Sequence, residues 1–299
     1  MDCLPDAPLP AYAELHCLSN FSFQRGASQP EELVARSAAL GYAALALTDE
    51  CSVAGMVRAH TESKKLGLKL LPGSEFVVPG LGEAMGFSLV ALPHTLQGWG
   101  NLCEFITHAR RAAPKGQYRV VWPDPQWAML TDCEILLALP ASLDVEAACA
   151  ICRLAKNIFG QNLWLTVELL LGLDDALVLH KLTQVSLLTG VPLVAAGQVH
   201  MHVRSRKPLQ DVITAVRLGR PVAECGFDLQ PNAEAHLRAR ARLAALYPPE
   251  LLANTVRIAQ RCSFSLDELR YQYPLETVLP GCTPAQTLRQ FTIEFQKVQ

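Results

Sequence analysis

The stretch from Tyr12 to Phe76 constrains this chain more than any other. Three short apolar runs, Ala13 to Leu15, Ala43 to Leu47 and Lys69 to Leu71, are each followed closely by ionisable side chains. Those side chains are His16, the Asp49–Glu50 pair and Glu75. Two amphipathic segments of helical length separate the runs, so the order is strand, helix, strand, helix, strand. The first helix opens at Gln29-Pro30-Glu31-Glu32, with Ser28 as the expected N-cap and acids in its first turn. Leu33, Val34, Ser37 and Leu40 give it an apolar side, and Gly41 ends it. The second runs from about Val53 to Leu66 and ends at Gly67. In parallel α/β folds the C-terminal ends of the strands carry the chemistry. All three groups of ionisable residues fall there.

The alternation continues. Strands are expected from Gly86 through Phe87-Ser88-Leu89-Val90-Ala91-Leu92, over Glu134 to Leu139, over Leu163 to Leu169 with Glu168, and over Val191 to Ala196. Helices are expected over Asn101 to Ala113, Val145 to Ile158 and Asp174 to Thr189. About seven strand–helix steps favour a closed parallel barrel, and the pattern alone leaves a doubly wound sheet open. Beyond Arg204-Ser205-Arg206-Lys207 the texture changes to helices over Leu209 to Leu218, Asn232 to Leu246 and Leu251 to Cys262. Residues 1–11, rich in proline, read as a flexible lead.

Composition narrows the function classes. Half of the 299 residues are hydrophobic and 18% are charged, as in a globular chain with a substantial core. A formal net charge of −2 supplies no global field for nucleic acid, so any such contact has to be local. Two basic clusters qualify: Arg110, Arg111, Lys115 and Arg119, then Arg204, Arg206 and Lys207. Each reads either as a solvated face or as a patch facing DNA or a polymerase. No apolar run reaches the ~18 residues of a membrane span. The first ten residues have neither a basic nor an apolar signal region, so a cytoplasmic protein without membrane partners is expected. The ten cysteines are scattered, as buried thiols would be. Cys149 and Cys152 lie in an amphipathic helical pattern with both sulfurs toward the core, without the second pair a zinc knuckle needs.

The run E-L-H-C-L-S-N-F-S-F from Glu14, A-L-T-D-E-C-S from Ala46 and G-S-E-F from Gly73 resemble the opening of a PHP domain (polymerase and histidinol phosphatase). More narrowly, they resemble the N-terminal domain of the bacterial error-prone C-family DNA polymerases, relatives of the polymerase III alpha subunit. The run from Tyr247 to Leu266 resembles that family's connection from barrel to polymerase core, and Cys282 to Thr292 its first core element. The resemblance implies an α/β fold, a PHP-type distorted (β/α)7 barrel followed by a mostly helical extension. It divides the chain into a barrel at 1–225, a helical connection at 226–275 and a truncated start of the polymerase core at 276–299.

Active PHP sites hold two or three divalent ions on His, Asp, Glu and Cys at strand ends, where the metals activate water and clamp phosphoryl oxygens. Measured against that pattern, H-x-H has become His16-Cys17-Leu18, and the Asp before Gly-Ala has become Arg25. T-D-H-G reads Thr48-Asp49-Glu50-Cys51, and D-x-H reads Gln198-Val199-His200. Glu75 is in place, whereas Leu139-Pro140 lacks the family's thiol. An arginine cannot ligate a cation, and a neutral amide weakens a site for a divalent one. The vestigial positions are thus His16, Leu18, Arg25, Asp49, Glu50, Glu75, Gln198 and His200. At most one zinc or manganese ion would remain, on His16, Glu75 and His200, with His202 and His94 as extras. The alternative is that Glu50 and Glu75 pair with Arg25 and fill the old site with ions.

The resemblance therefore implies a non-catalytic scaffold within an error-prone polymerase, acting in DNA replication, repair and translesion synthesis after damage. The nucleotidyltransferase carboxylates, with their magnesium, would lie downstream of Gln299. Implied partners are the remaining polymerase chain, DNA through it, the sliding clamp and mutagenesis accessory proteins. Two competing readings are a metal-dependent 3′-5′ exonuclease or phosphoesterase, and a stand-alone phosphatase of the histidinol-phosphatase type, against which the run past Lys207 argues. Neither a phosphate-cradling G-x-x-x-x-G-K loop nor a G-x-S-x-G elbow occurs.

Overall fold

The computed structural model describes residues 9–80, 86–270 and 278–298. Most of the proline-rich lead thus lies outside the described residues. The chain divides into two compact units, Met1–Leu266 and Asp267–Gln299.

The first unit is a distorted α/β barrel with helices over its outside. Three parallel strands open it: β1 (Ala13–Glu14), β2 (Ala44–Leu47) and β3 (Lys69–Pro72). The helices between them are α1 (Pro30–Ala39) and α2 (Met56–Leu66), which ends on Gly67 at φ 66°. α1 buries Leu33, Val34 and Ser37 as its pattern requires. Its N-cap is Gln29 rather than Ser28; the Gln29 N–H donates to Glu32 Oε2 at 2.9 Å. Ser28 is used elsewhere, with its Oγ accepting from the His202 N–H at 2.9 Å.

After β3 the chain bends at Gly73 into β4 (Ser74–Val78), which enters a second sheet with β5 (Phe87–Pro93), β6 (Cys133–Ala138), β7 (Leu163–Val167) and β8 (Leu193–Ala195). β5 runs antiparallel to both β4 and β6, and within this sheet only β6, β7 and β8 are mutually parallel. This departs from the all-parallel expectation. The connection from Val78 to Phe87 is shorter than the dozen or so residues a crossover needs, so the chain turns back as a hairpin. A parallel bridge from Cys17 to Val199 joins the last strand to the first, and a second joins Glu50 to Glu75.

Alternation along the strands sorts two cores. Ala13, Leu15, Ala44, Ala46, Leu71, Val90, Leu92, Leu136, Trp164 and Val194 pack together inside the barrel. Leu45, Leu47, Phe76, Leu89 and Leu137 face the surrounding helices. Those include α3 (Leu96–Arg111), which Thr95 caps by accepting from the Gly98 N–H, α4 (Val145–Phe159) and α5 (Asp175–Thr189). Cys149 and Cys152 are buried on α4, as expected, and burial pushes the Cys152 thiol up to about 12.

Past β8 come α6 (Lys207–Leu218), α7 (Arg240–Leu246) and α8 (Pro249–Arg261). The helix expected from Asn232 forms only from Arg240. Upstream, the Ala235 carbonyl accepts from the His200 and Met201 N–H groups at 3.0 and 3.2 Å, and Arg238 is buried with Nη1 donating to Leu169 O at 2.7 Å. α8 closes the end of the barrel away from His16. Its Ile258, Ala259 and Cys262 join the inner core, Thr255 Oγ1 accepts from the Ala13 N–H at 3.0 Å, and Asn254 Nδ2 donates to Leu193 O at 2.8 Å. In the second unit, α9 (Pro284–Val298) begins at a polar turn where Gln286 Oε1 accepts from the Thr283 N–H at 2.9 Å.

Candidate functional site

Four of the positions singled out in the sequence meet at the barrel mouth: His16, Arg25, Glu50 and Glu75. The Arg25 guanidinium lies between the two carboxylates, with Nη1 2.6 Å from Glu50 Oε2 and 2.7 Å from Glu75 Oε2. The other oxygens are engaged too. Glu50 Oε1 accepts from the Tyr118 hydroxyl at 2.7 Å, and Glu75 Oε1 accepts from Ser88 Oγ at 2.8 Å. His16 Nδ1 is 2.7 Å from Glu168 Oε1, and its Nε2 is 3.5 Å from Glu75 Oε1. Burial alone would lower His16, but the carboxylates of Glu168 and Glu75 outweigh it and raise the imidazole to about 10. Burial likewise opposes the charge on Glu75, yet His16 and Arg25 hold its carboxyl well below the usual carboxylate range. Two cationic groups therefore stand among three carboxylates.

The loop that delivers Arg25 is tied down from below by Asp49. Asp49 Oδ1 accepts from the Ser19 and Ser22 N–H groups at 2.8 and 3.1 Å and from Ser22 Oγ at 2.6 Å; its Oδ2 accepts from Ser19 Oγ at 2.7 Å. Asp49 is buried in that role as an anchor of the turn. Gly26 allows the turn to close, because a Cβ there would meet the Ser19 carbonyl oxygen at 2.0 Å. On the opposite wall, buried Glu14 collects four donors: the Tyr12 hydroxyl at 2.9 Å and the N–H groups of Leu15, His16 and Gly197 at 3.1, 3.1 and 2.8 Å. This carboxylate fixes His16 and the strand-end turn that carries Gln198 and His200.

His200 is buried with neither ring nitrogen hydrogen-bonded, and burial followed by the nearby Arg25 charge lowers it to about 3. Leu18 is buried, its N–H donating to Val199 O at 2.8 Å. Gln198 adopts a positive φ of 46° and lines a cleft of about 330 Å³ beside Glu168. His202 pairs with Ser28 Oγ at 2.8 Å. His94 is not part of this group: it follows β5, which runs the other way, and binds Glu134 at 2.8 Å at the opposite end of the barrel. Among the described residues, no group of three or more His, Cys, Asp or Glu is arranged to hold a metal ion.

The basic clusters are largely spoken for. Arg110 donates to the Cys51 and Glu50 carbonyls at 3.1 and 3.2 Å and lies 5.4 Å from the Tyr118 ring centroid, so it braces the site loop. Arg204 pairs with Glu234, Arg206 with Glu32 and Lys207 with Asp211. Arg111 and Lys115 are exposed. The sequence reading left Glu168, Tyr118, Ser88 and Glu14 out of the site. Glu168 follows β7 as Glu75 follows β3, so the strand-end rule could have found it. Tyr118 and Ser88 carry no comparable signal, because they arrive from a loop and from the antiparallel strand.

The model of the PHP domain matches residues 14–169, just over half of the chain, and the chain belongs to that family. Over nearly its whole length it is also similar to polymerases. It is 52% identical over 292 residues to the error-prone DNA polymerase of Dechloromonas aromatica, covering 95% of this chain and 27% of that one. It is 51% identical over 293 residues to the error-prone DNA polymerase of Methylococcus capsulatus, covering 98% and 27%. The chain thus spans about a quarter of the length of these relatives. Among solved structures, an amidohydrolase of Chromobacterium violaceum with bound sulfate and no metal superposes with a TM-score of 0.47 at 17% identity, over 64% of this chain and 88% of that one.

Proposed function

We propose that this chain is the N-terminal PHP domain of an error-prone, translesion DNA polymerase, and that it is a non-catalytic scaffold for the polymerase core. The observation that carries the reading is Arg25. A tethered guanidinium sits between Glu50 and Glu75, in the place where the family's active members keep their metals. The residues present do not fit a two- or three-metal centre. Glu50 and Glu75 each use both oxygens on protein donors, His16 is held between carboxylates, and positions 18, 25 and 198 offer an alkyl group, a cation and an amide.

On this reading the barrel spans 1–225, the helical connection 226–275 and the start of the polymerase core 276–299. Nucleotidyl transfer, with its magnesium, belongs to the rest of the polypeptide, as do the contacts with DNA, the sliding clamp and the mutagenesis accessory proteins. The setting is DNA repair and damage tolerance in the cytoplasm. Among the described residues, no helix is long and apolar enough to cross a membrane. Of the proposed nucleic-acid contacts, exposed Arg111 and Lys115 are the ones best placed to touch a phosphate backbone.

A nuclease assay separates this from the exonuclease reading. The full-length polypeptide is incubated with an end-labelled primer–template, without nucleotides, in manganese or zinc. No 3′-5′ shortening is expected. Shortening that disappears in Glu75→Ala or His16→Ala would establish the phosphoesterase reading instead.

A further inference from the structure

α6 presents its chemistry inside out. Its buried positions are Gln210, Thr214 and Ala215, with Gln210 Nε2 donating to Thr214 Oγ1 at 3.1 Å. Leu209, Val212 and Val216, spaced by three and four residues, form one stripe on the helix and are 41%, 49% and 60% exposed. The turn that follows adds Val222 and Phe227, whose ring is wholly uncovered. That turn is ordered: Arg220 pairs with Asp228, and Cys225 is buried beneath it. Single exposed apolar residues are ordinary, but a stripe of them on a helix that turns its polar side inward marks a contact surface.

We propose that the α6 stripe and Phe227 form the docking surface for the remainder of the polypeptide, the segment beyond residue 299. This rests on the reading of the chain as part of an error-prone polymerase. Two observations favour that occupant. Residues 207–229 lie past the end of the PHP match at residue 169, yet inside the span shared with polymerases of which this chain covers 27%. The patch is also small: with ~150–250 Å² for an aromatic, these five exposed side chains present on the order of 500 Å². A stable dimer needs roughly 800 Å² from each partner, so a second copy of this chain would have to recruit surface beyond these five side chains. A covalently tethered segment gains from a high effective concentration and can use a smaller contact.

The test is hydrogen exchange on the full-length polypeptide and on the 299-residue chain, side by side at low concentration. Amides of residues 207–229 are expected to exchange roughly tenfold or more slowly in the full-length protein. Val212→Asp with Val216→Asp should erase that difference while leaving the Tm of the 299-residue chain nearly unchanged, since both sites are exposed. Should the double variant unfold the chain, Phe227→Ser makes the same test at a wholly exposed position. Equal exchange in the two proteins would overturn the proposal. Protection that grows with the concentration of the 299-residue chain would overturn it too, in favour of a second copy. The mass of the polypeptide carrying this sequence in cell extracts tests the polymerase reading separately.

Discussion

At position 25 a guanidinium supplies the positive charge that two carboxylates, Glu50 and Glu75, face at the barrel mouth. Removing it leaves Glu75 buried and without its closest cation. Breaking a buried pair costs about 3–5 kcal/mol, and the lower end applies because the Arg25 side chain is 21% exposed. At ~2–4 °C per kcal/mol for a domain of this size, Arg25→Ala should lose roughly 6–12 °C in Tm. Manganese or zinc should restore part of that loss in the variant and leave the parent unmoved, as thermal melts with and without metal would show. His16 gives a second residue-scale expectation. Its folded value near 10 lies above the ordinary 6.5, so its pairing stabilises fully below about pH 6.5 and is lost as pH rises toward 10. Tm measured between pH 6 and 9 should therefore fall more steeply in the parent than in His16→Gln, which has no proton to lose there. Parallel slopes would remove the ion pair from the account.

At the scale of elements, two close approaches shape the mouth. A Cβ at position 197 would come within 2.3 Å of Glu14 Oε2, and one at position 26 within 2.0 Å of a carbonyl oxygen. Gly197→Ala should cost about 1–3 kcal/mol as an overpacked site, read by urea denaturation, and Gly26→Ala should cost at least as much because backbone has to move. A wild-type denaturation midpoint in either would contradict the geometry. The strands and helices that build this mouth were legible because alternation and helical spacing report which side of an element is buried. Strand direction is not encoded in a period of two, so β5 read as another parallel strand. The run from Asn232 to Ala239 is rich in alanine and suits a helix locally. It stays non-helical: the Ala235 carbonyl accepts from the His200 and Met201 N–H groups, and Leu169 O accepts from Arg238. Arg25 and Glu50 were legible as departures from a pattern, and their pairing as one of two outcomes. Glu14 was not legible, since a buried acid within a strand gives no sign of the donors that fold around it.

At the scale of the molecule, the barrel carries the Arg25 cluster at one end and is sealed at the other by α8. The seal belongs to the first unit, and it makes the barrel dependent on residues well past the PHP match. A chain ending at residue 248 would forfeit about 1.5–3 kcal/mol for each large apolar side chain lost from the inner core, Ile258 among them, together with the Thr255 and Asn254 bonds. It should lose cooperative unfolding in a heat scan, whereas a chain ending at 266 should keep it. The scaffold reading is tested most directly by elemental analysis of chelator-free full-length protein for zinc, manganese and iron. A mouth filled by Arg25 predicts far less than one equivalent of all three together. Two or more equivalents per chain would contradict it, and would make positions 18, 25 and 198 bystanders to a working metal centre.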